Sequence, residues 1–399
     1  MNNSFKVKIL CLVLIPLILC SGCWSRKEVE NLAFVTLTGM DYAKVNGKEV
    51  WTVSSLILDV QGTQGQGDQS ASQANKEIFI IGQGPTQQTA IVDYANKLAR
   101  TPFYGYISGY IFGEEAAKEK LGEIIENLNR YFQTRPLNIM TVTKGEAQDM
   151  LKKPGTVNRL LSQQLTEFTE YKATASGKSV GVYLYELTSW LVSPDRDAVL
   201  GEVKTISYDA GNNSPEDEPA VEANIMDGIG VFRAGKLIDW LNDDQVRGYL
   251  LLTQKLRKSQ ISLPVETDNK TFSYYIGKSD CKIEPKVEGD KVFYRVTIKV
   301  VGEIDDNAGV ELSPQSAKPL EAVISDKIKK LAEATIEKAK DNKADYLGFS
   351  EVLHQKNPKF WKTLGPEWRE AFVKSDVEVI VKAKVMGGGK LLKNLEIGK

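Results

Sequence analysis

The chain holds one histidine, His354, and that alone removes every device built on two imidazoles, including the two-histidine zinc helix of metalloproteases. His354 falls in a short helical stretch, 348–355, with no cysteine or second histidine in register, so it reads as a half-exposed helix residue. Ser176-Gly177-Lys178-Ser179 ends as a phosphate-binding loop ends, but such a loop needs a glycine five residues before Gly177, and Lys172 stands there. Gly62, Gly65 and Gly67 lack the strand-to-helix turn of a dinucleotide site. Gly105, Ser108 and Gly109 lack the nucleophile-elbow spacing, and Asp305-Asp306-Asn307 lacks the register of a calcium loop. Each of these reads as a turn or a solvated surface. The residue types therefore predict no catalytic group, no metal site and no cofactor.

The one position where the sequence promises covalent chemistry is Cys23. Lys6 and Lys8 precede eleven unbroken apolar residues, Ile9 to Leu19. A spanning helix needs about 20, so the run reads as the core of a signal peptide. Cys20-Ser21-Gly22-Cys23 follows and resembles the bacterial lipobox, whose peptidase requires slim side chains before the cysteine; Cys20 stands where leucine is usual. Thioether attachment of a diacylglycerol at Cys23 would supply two acyl chains. At about 0.8 kcal/mol per buried methylene, two chains hold where one is marginal. The alternative is an ordinary secretory signal cut nearby. With Cys11 and Cys20 removed and Cys23 acylated, only Cys281 of the four cysteines remains, so no disulfide can form within the mature chain. Cys281 alternates with Ile283 and reads as a small buried apolar residue, not a nucleophile.

With 399 residues, 42% hydrophobic and 26% charged, the chain is ordinary folded protein of two or three domains. Fifty-one basic residues against 52 acidic ones give a net charge of −1, and −3 once Lys6 and Lys8 are removed. No global basic field recruits nucleic acid.

The expected architecture is α+β: a three-domain mixed α/β protein with an N-terminal region of sheet plus helices, a small central block, and a C-terminal antiparallel sheet packed on a long helix. The boundaries read as a signal peptide over 1–22, an N-terminal α/β domain over 23–206, an acidic linker or long loop over 207–222, a small central domain over 223–265, and a C-terminal α+β domain over 270–399. Two strand-like runs flank Asn46-Gly47, a hairpin signal. A Gln/Gly/Ser stretch over 61–75 reads as a mobile loop. A β-α-β-α-β series follows, with helices over 85–100 and 114–132; the second buries Ala117, Leu121, Ile124, Ile125, Leu128 and Phe132. Strands are predicted at 228–232 and 236–240. Val292 to Val300 and Val377 to Val385 alternate apolar with mostly polar residues, the habit of antiparallel sheets. Between them a helix over 319–340 carries Leu320, Val323, Ile324, Ile328, Leu331 and Thr335 on one side. Trp361, Leu364, Trp368 and Phe372 place two short helices with a shared apolar face under that sheet.

Three blocks carry a resemblance. Cys23-Trp24-Ser25-Arg26-Lys27-Glu28-Val29-Glu30 with Thr38-Gly39-Met40-Asp41 resembles the mature start of the GerC-type lipoproteins, the C subunits of nutrient germinant receptors in endospore-forming bacteria; Ser25 replaces their usual acidic residue. Gly228-Ile229-Gly230-Val231-Phe232-Arg233-Ala234-Gly235-Lys236 through Leu241, with Arg247-Gly248, is similar to the family's central block. Ala344-Asp345-Tyr346-Leu347-Gly348-Phe349, then Asn357-Pro358-Lys359-Phe360-Trp361 and Trp368, is similar to its C-terminal block. The resemblance implies three α+β domains and a non-enzymatic lipoprotein on the outer face of the spore inner membrane. It also implies membrane A and B subunits as partners, with the bilayer reached through acylated Cys23. It carries over no nutrient-binding residue. A rival class is the solute-binding lipoprotein of a membrane transporter, which requires two similar α/β lobes around a cleft. A surface hydrolase is disfavoured by the single histidine.

Overall fold

The structure, a computed structural model, describes residues 28–59, 76–153, 160–172, 176–208, 221–258, 261–267, 270–306 and 314–386. The signal segment, Cys23, the glycines of the 61–75 stretch and most of the acidic stretch, 209–220, lie outside these residues.

Nine strands form one large sheet: β1 (Leu32–Val45), β2 (Lys48–Asp59), β3 (Lys76–Gly84), β4 (Thr101–Phe103), β5 (Gly109–Phe112), β6 (Ile139–Val142), β7 (Val199–Tyr208), β8 (Val221–Arg233) and β9 (Lys236–Leu241). Their order is β3-β2-β1-β5-β6-β7-β8-β9, with β4 beside the start of β1. β1, β5, β6 and β7 run parallel, and antiparallel hairpins close both ends. The Asn46-Gly47 hairpin is present with both residues at positive φ, 51° and 76°, as a type I′ turn requires.

Helices cover both faces. One face takes α1 (Gln87–Ala95), α2 (Glu114–Glu119), α3 (Leu121–Arg130) and α6 (Leu184–Val192); the other takes α4 (Ala147–Leu151) and α5 (Leu161–Glu167). The helix expected over 114–132 is broken at Lys120 (φ −132°, ψ 3°), whose ammonium reaches Glu49 at 2.7 Å and lies over the Tyr42 ring. Five of its six expected apolar residues are buried. Phe132 falls past the end of α3 and is 86% exposed.

A second sheet has the order β10-β11-β12-β13, comprising β10 (Ile261–Thr267), β11 (Lys270–Glu288), β12 (Lys291–Asp306) and β13 (Asp376–Val385). The first three strands are antiparallel, as expected, but β13 is parallel to β12. The cause is the connection. The chain between them carries the long α8 (Pro314–Asp341), which returns it to the same end, as a crossover must. α8 starts before Pro319, which removes a single helical bond. It buries Leu320, Ile324, Ile328, Leu331, Thr335 and Ile336, and it crosses α7 (Asp243–Leu252) at Gly248. A Cβ on Gly248 would stand 2.4 Å from the Leu331 carbonyl oxygen and 2.0 Å from Thr335 Oγ1. Three short helices, α9 (Phe349–Lys356), α10 (Pro358–Leu364) and α11 (Trp368–Lys374), complete this region, with Trp361, Trp368 and Phe372 buried as the spacing predicts.

Candidate functional site

Successive strand residues point to opposite faces, so the run Thr38-Gly39-Met40-Asp41 in β1 divides its work. Asp41 points to the α4 face, is 7% exposed, and accepts hydrogen bonds from the Ala147 and Gln148 amides at 2.6 and 3.0 Å. It thus caps α4 from 106 residues away in sequence. Burial pushes its carboxyl up to about 6; the two amides pull the other way, and Glu146 and Asp149 add to the rise.

Thr38 and Met40 point to the opposite face, where they floor a cavity of about 160 Å³ with Val53, Gln87, Ile91, Tyr104, Tyr110 and Leu128. Gln88, Asn127 and Tyr131 form its rim. That is close to the ~150 Å³ of an apolar cavity that admits benzene. No charged side chain lines it. Gln87 Nε2 and the Tyr104 hydroxyl are buried without a partner, so a small neutral molecule with a hydrogen-bond acceptor is what it could hold.

The richest polar cluster joins the large sheet to the second one. Asp195, Arg196 and Asp197 precede β7, and each engages a residue more than 140 positions later. Asp195 Oδ2 lies 2.6 Å from His354 Nδ1, and Arg196 Nη1 donates to Glu351 at 2.9 Å. Arg369 grips Asp197 through Nε and Nη2 at 3.2 and 2.7 Å. Asp197 also accepts from the amides of Asp345 (3.1 Å) and Ala234 (3.3 Å). Asp345 is fully buried and accepts from the Gly348, Phe349 and Ser350 amides at 2.9, 3.2 and 2.5 Å, which caps α9. Burial raises its carboxyl, against the Ser350 and Phe349 hydrogen bonds and the Arg196 charge. The His354 ring stacks on Trp361 at 4.8 Å, and the Arg369 guanidinium lies 4.1 Å over Trp368. His354 is half-buried, and its partner is a carboxylate that no local spacing announces. The arrangement is a clamp between two regions of the fold; its carboxylates are spent on backbone amides, arginines, Ser193 and His354.

The other sequence candidates have structural roles. Ser179 donates to the Gly228 carbonyl at 2.7 Å, and the Gly228 amide donates to that of Lys178 at 2.7 Å, so the 176–179 run fastens β8. Gly105 lies in the turn 104–106, and the Ser108 amide bonds Thr36. Asp305 and Asp306 end β12. Cys281 is 4% exposed, its thiol pushed up to about 12 by burial. Among the described residues no group of three His, Cys, Asp or Glu side chains could hold a metal, and no helix is long and apolar enough to cross a membrane.

Comparison with known proteins gives consistent results along the chain. Residues 25–205 match the family model "Spore germination protein N-terminal domain", and residues 227–389 match "Spore germination B3/GerAC like, C-terminal". Spore germination protein KC of Bacillus subtilis (strain 168) is 23% identical over 389 residues, covering 95% of this chain and 94% of that protein. Spore germination protein B3 of the same organism is 20% identical over 407 residues, covering 98% and 99%. Spore germination protein GerQC of Bacillus cereus is 21% identical over 382 residues, covering 95% and 98%. The crystal structure of the GerBC protein superposes with a TM-score of 0.52 at 15% identity, over 88% of this chain and 97% of that one, which shows a shared fold.

Proposed function

Because the chain belongs to the GerAC-like family of spore germination proteins, we propose that it is the lipid-anchored, non-catalytic C subunit of a nutrient germinant receptor. The observation that carries this is the pair of family models, which follow one another in order across residues 25–205 and 227–389. Acylated Cys23 holds the protein on the outer face of the spore inner membrane, where its partners are the membrane A and B subunits. Confinement to that surface raises its effective concentration toward them without any added contact. The clamp of Asp195, Arg196 and Asp197 fits a part whose task is to present a fixed surface, since it holds the regions matched by the two models in one arrangement.

The solute-binding reading required two similar α/β lobes. The two sheets differ, one having nine mixed strands and the other four, so that reading finds no support in the fold.

Replacing Cys23 with alanine tests the anchored-subunit reading. Spores dependent on this receptor should respond weakly or not at all to their nutrient, while germination triggered downstream of receptors stays intact. Intact-mass analysis of the detergent-extracted wild-type protein should find a diacylglyceryl group on an N-terminal Cys23. A full nutrient response from the alanine variant, with an unmodified N-terminus elsewhere in the wild type, would reject the anchor.

A further inference from the structure

One edge of the large sheet leaves apolar side chains uncovered. β1 starts there at Leu32, paired with β4, and β5 and β6 run parallel to β1, so the turns leading into these strands gather at the same edge. Tyr106 is 54% exposed; Tyr131, Phe132 and Leu137, between α3 and β6, are 41%, 86% and 67% exposed. The turn 104–106 links Tyr106 to Tyr131 through Tyr104, and Leu137 lines one depression with Ile107, Ser108 and Arg135. Ring centres lie 6.1 Å apart for Phe34 and Tyr106, 5.7 Å for Tyr104 and Tyr131, and 5.3 Å for Tyr131 and Phe132. Arg135 is exposed at this edge, and Arg130, ion-paired to Glu126, has a side chain 74% exposed. Contiguous exposed aromatic groups flanked by guanidinium groups mark a surface that meets something.

We propose that this edge rests on the lipid bilayer, with Tyr106, Tyr131, Phe132 and Leu137 in the interfacial layer and Arg130 and Arg135 at headgroup level. Aromatic side chains concentrate at that depth, and arginine stems reach from it to anionic phosphates. The chain's own path favours lipid over a protein partner. The proposal rests on the reading of Cys23 as the anchor. Eight residues separate Cys23 from Leu32, nine Cα–Cα steps and at most about 30 Å of extended chain. The opposite edge, at Asn46-Gly47, lies about 44 Å farther along β1. A lipid at residue 23 therefore keeps the start of β1 within about 30 Å of the membrane, a tighter limit than it sets on the far end.

The test uses the mature chain with a hexahistidine segment in place of Cys23, tethered to phosphatidylcholine–phosphatidylglycerol vesicles that carry a nickel-chelating lipid. The tether supplies the anchor, so the outcome stands whether or not Cys23 is acylated; flotation of the native lipoprotein answers that separately. An environment-sensitive fluorophore is attached at Leu137→Cys or, as reference, at Lys48→Cys. Cys281 is 4% exposed and stays unlabelled. The expected result is a blue shift and quenching by doxyl lipids at position 137 but not at 48, with the shift reduced by Phe132→Ser, a change at an exposed position that folding tolerates. An aqueous spectrum at position 137, or a shift that Phe132→Ser leaves unchanged, would overturn the proposal.

Discussion

Asp197→Ala is expected to loosen the clamp at its centre. The Asp197 side chain is 1% exposed, while that of Arg369 keeps 30% exposure and its contact with Trp368. Removing one member of a buried pair typically costs about 3–5 kcal/mol, because the other is left uncompensated. Arg369 can still reach water, so the arginine side of the loss falls toward the lower limit. The Asp345 and Ala234 amides also lose their acceptor, which brings the expected total to about 3–4 kcal/mol. Arg369→Met should cost at least as much, since it strands a carboxylate that has no route to water. Asp197→Asn keeps an acceptor for both amides, so Asp197→Asn combined with Arg369→Met should be more stable than the sum of the two single changes by about 2 kcal/mol. Urea unfolding of the chain lacking residues 1–23 measures all four variants: Asp197→Ala, Arg369→Met, Asp197→Asn and the Asp197→Asn/Arg369→Met double. Tryptophan fluorescence follows Trp361 and Trp368 beside the clamp, and circular dichroism follows the whole chain. Single variants within about 1 kcal/mol of wild type, with additive effects, would show that the clamp is a surface ion pair of little weight.

Three further outcomes follow from the geometry. Gly248→Ala should destabilise by about 1–3 kcal/mol in the same urea assay, because its Cβ meets the Leu331 carbonyl 2.4 Å away, and Thr335→Ala should not rescue it; wild-type stability would refute the close helix crossing. Asp41 has a folded pKa of about 6 against an ordinary 3.8, so between these values the folded chain holds a proton that the unfolded chain lacks. Its contribution is full well below 3.8 and is lost as pH rises through 6, a change of about 3 kcal/mol, so the stability difference between wild type and Asp41→Asn should drift by about that amount from about pH 3 to 8; a pH-independent difference would refute it. Cys281 should resist an aromatic disulfide reagent at pH 8 until urea unfolds the chain, since its thiol is both buried and raised to about 12, and rapid reaction of the folded protein would contradict its placement.

Local signals were legible where local physics decides. Asn46-Gly47 gives its hairpin because both residues tolerate positive φ, and the apolar spacing from Leu320 to Thr335 gives the buried face of α8. The alternation in β13 reveals a strand but not its direction; the helix between β12 and β13 holds that information, because a crossover of this length returns the chain in parallel. The break at Lys120 depends on Glu49 and Tyr42 in another strand pair, so the period from 114 to 132 runs through it unmarked, and Phe132 is misplaced as a result. In the candidate site, Asp41 and Asp345 stand inside recognisable sequence blocks, but their capping roles depend on partners in space, Ala147 and Gln148 for the one and Arg196 beside the α9 amides for the other. Asp195, Arg196 and Asp197 carried no signal, because their side-chain partners stand 155 to 172 positions away. Spacing within a segment cannot encode such a pairing.

The most direct measurement of the central claim is the nutrient response of spores from which this protein has been deleted and which carry no other C subunit. A receptor-subunit role predicts that the response to the cognate nutrient is lost, returns when the wild-type gene is restored, and leaves germination triggered downstream of receptors intact. A normal rate of response in the deleted spores would contradict it.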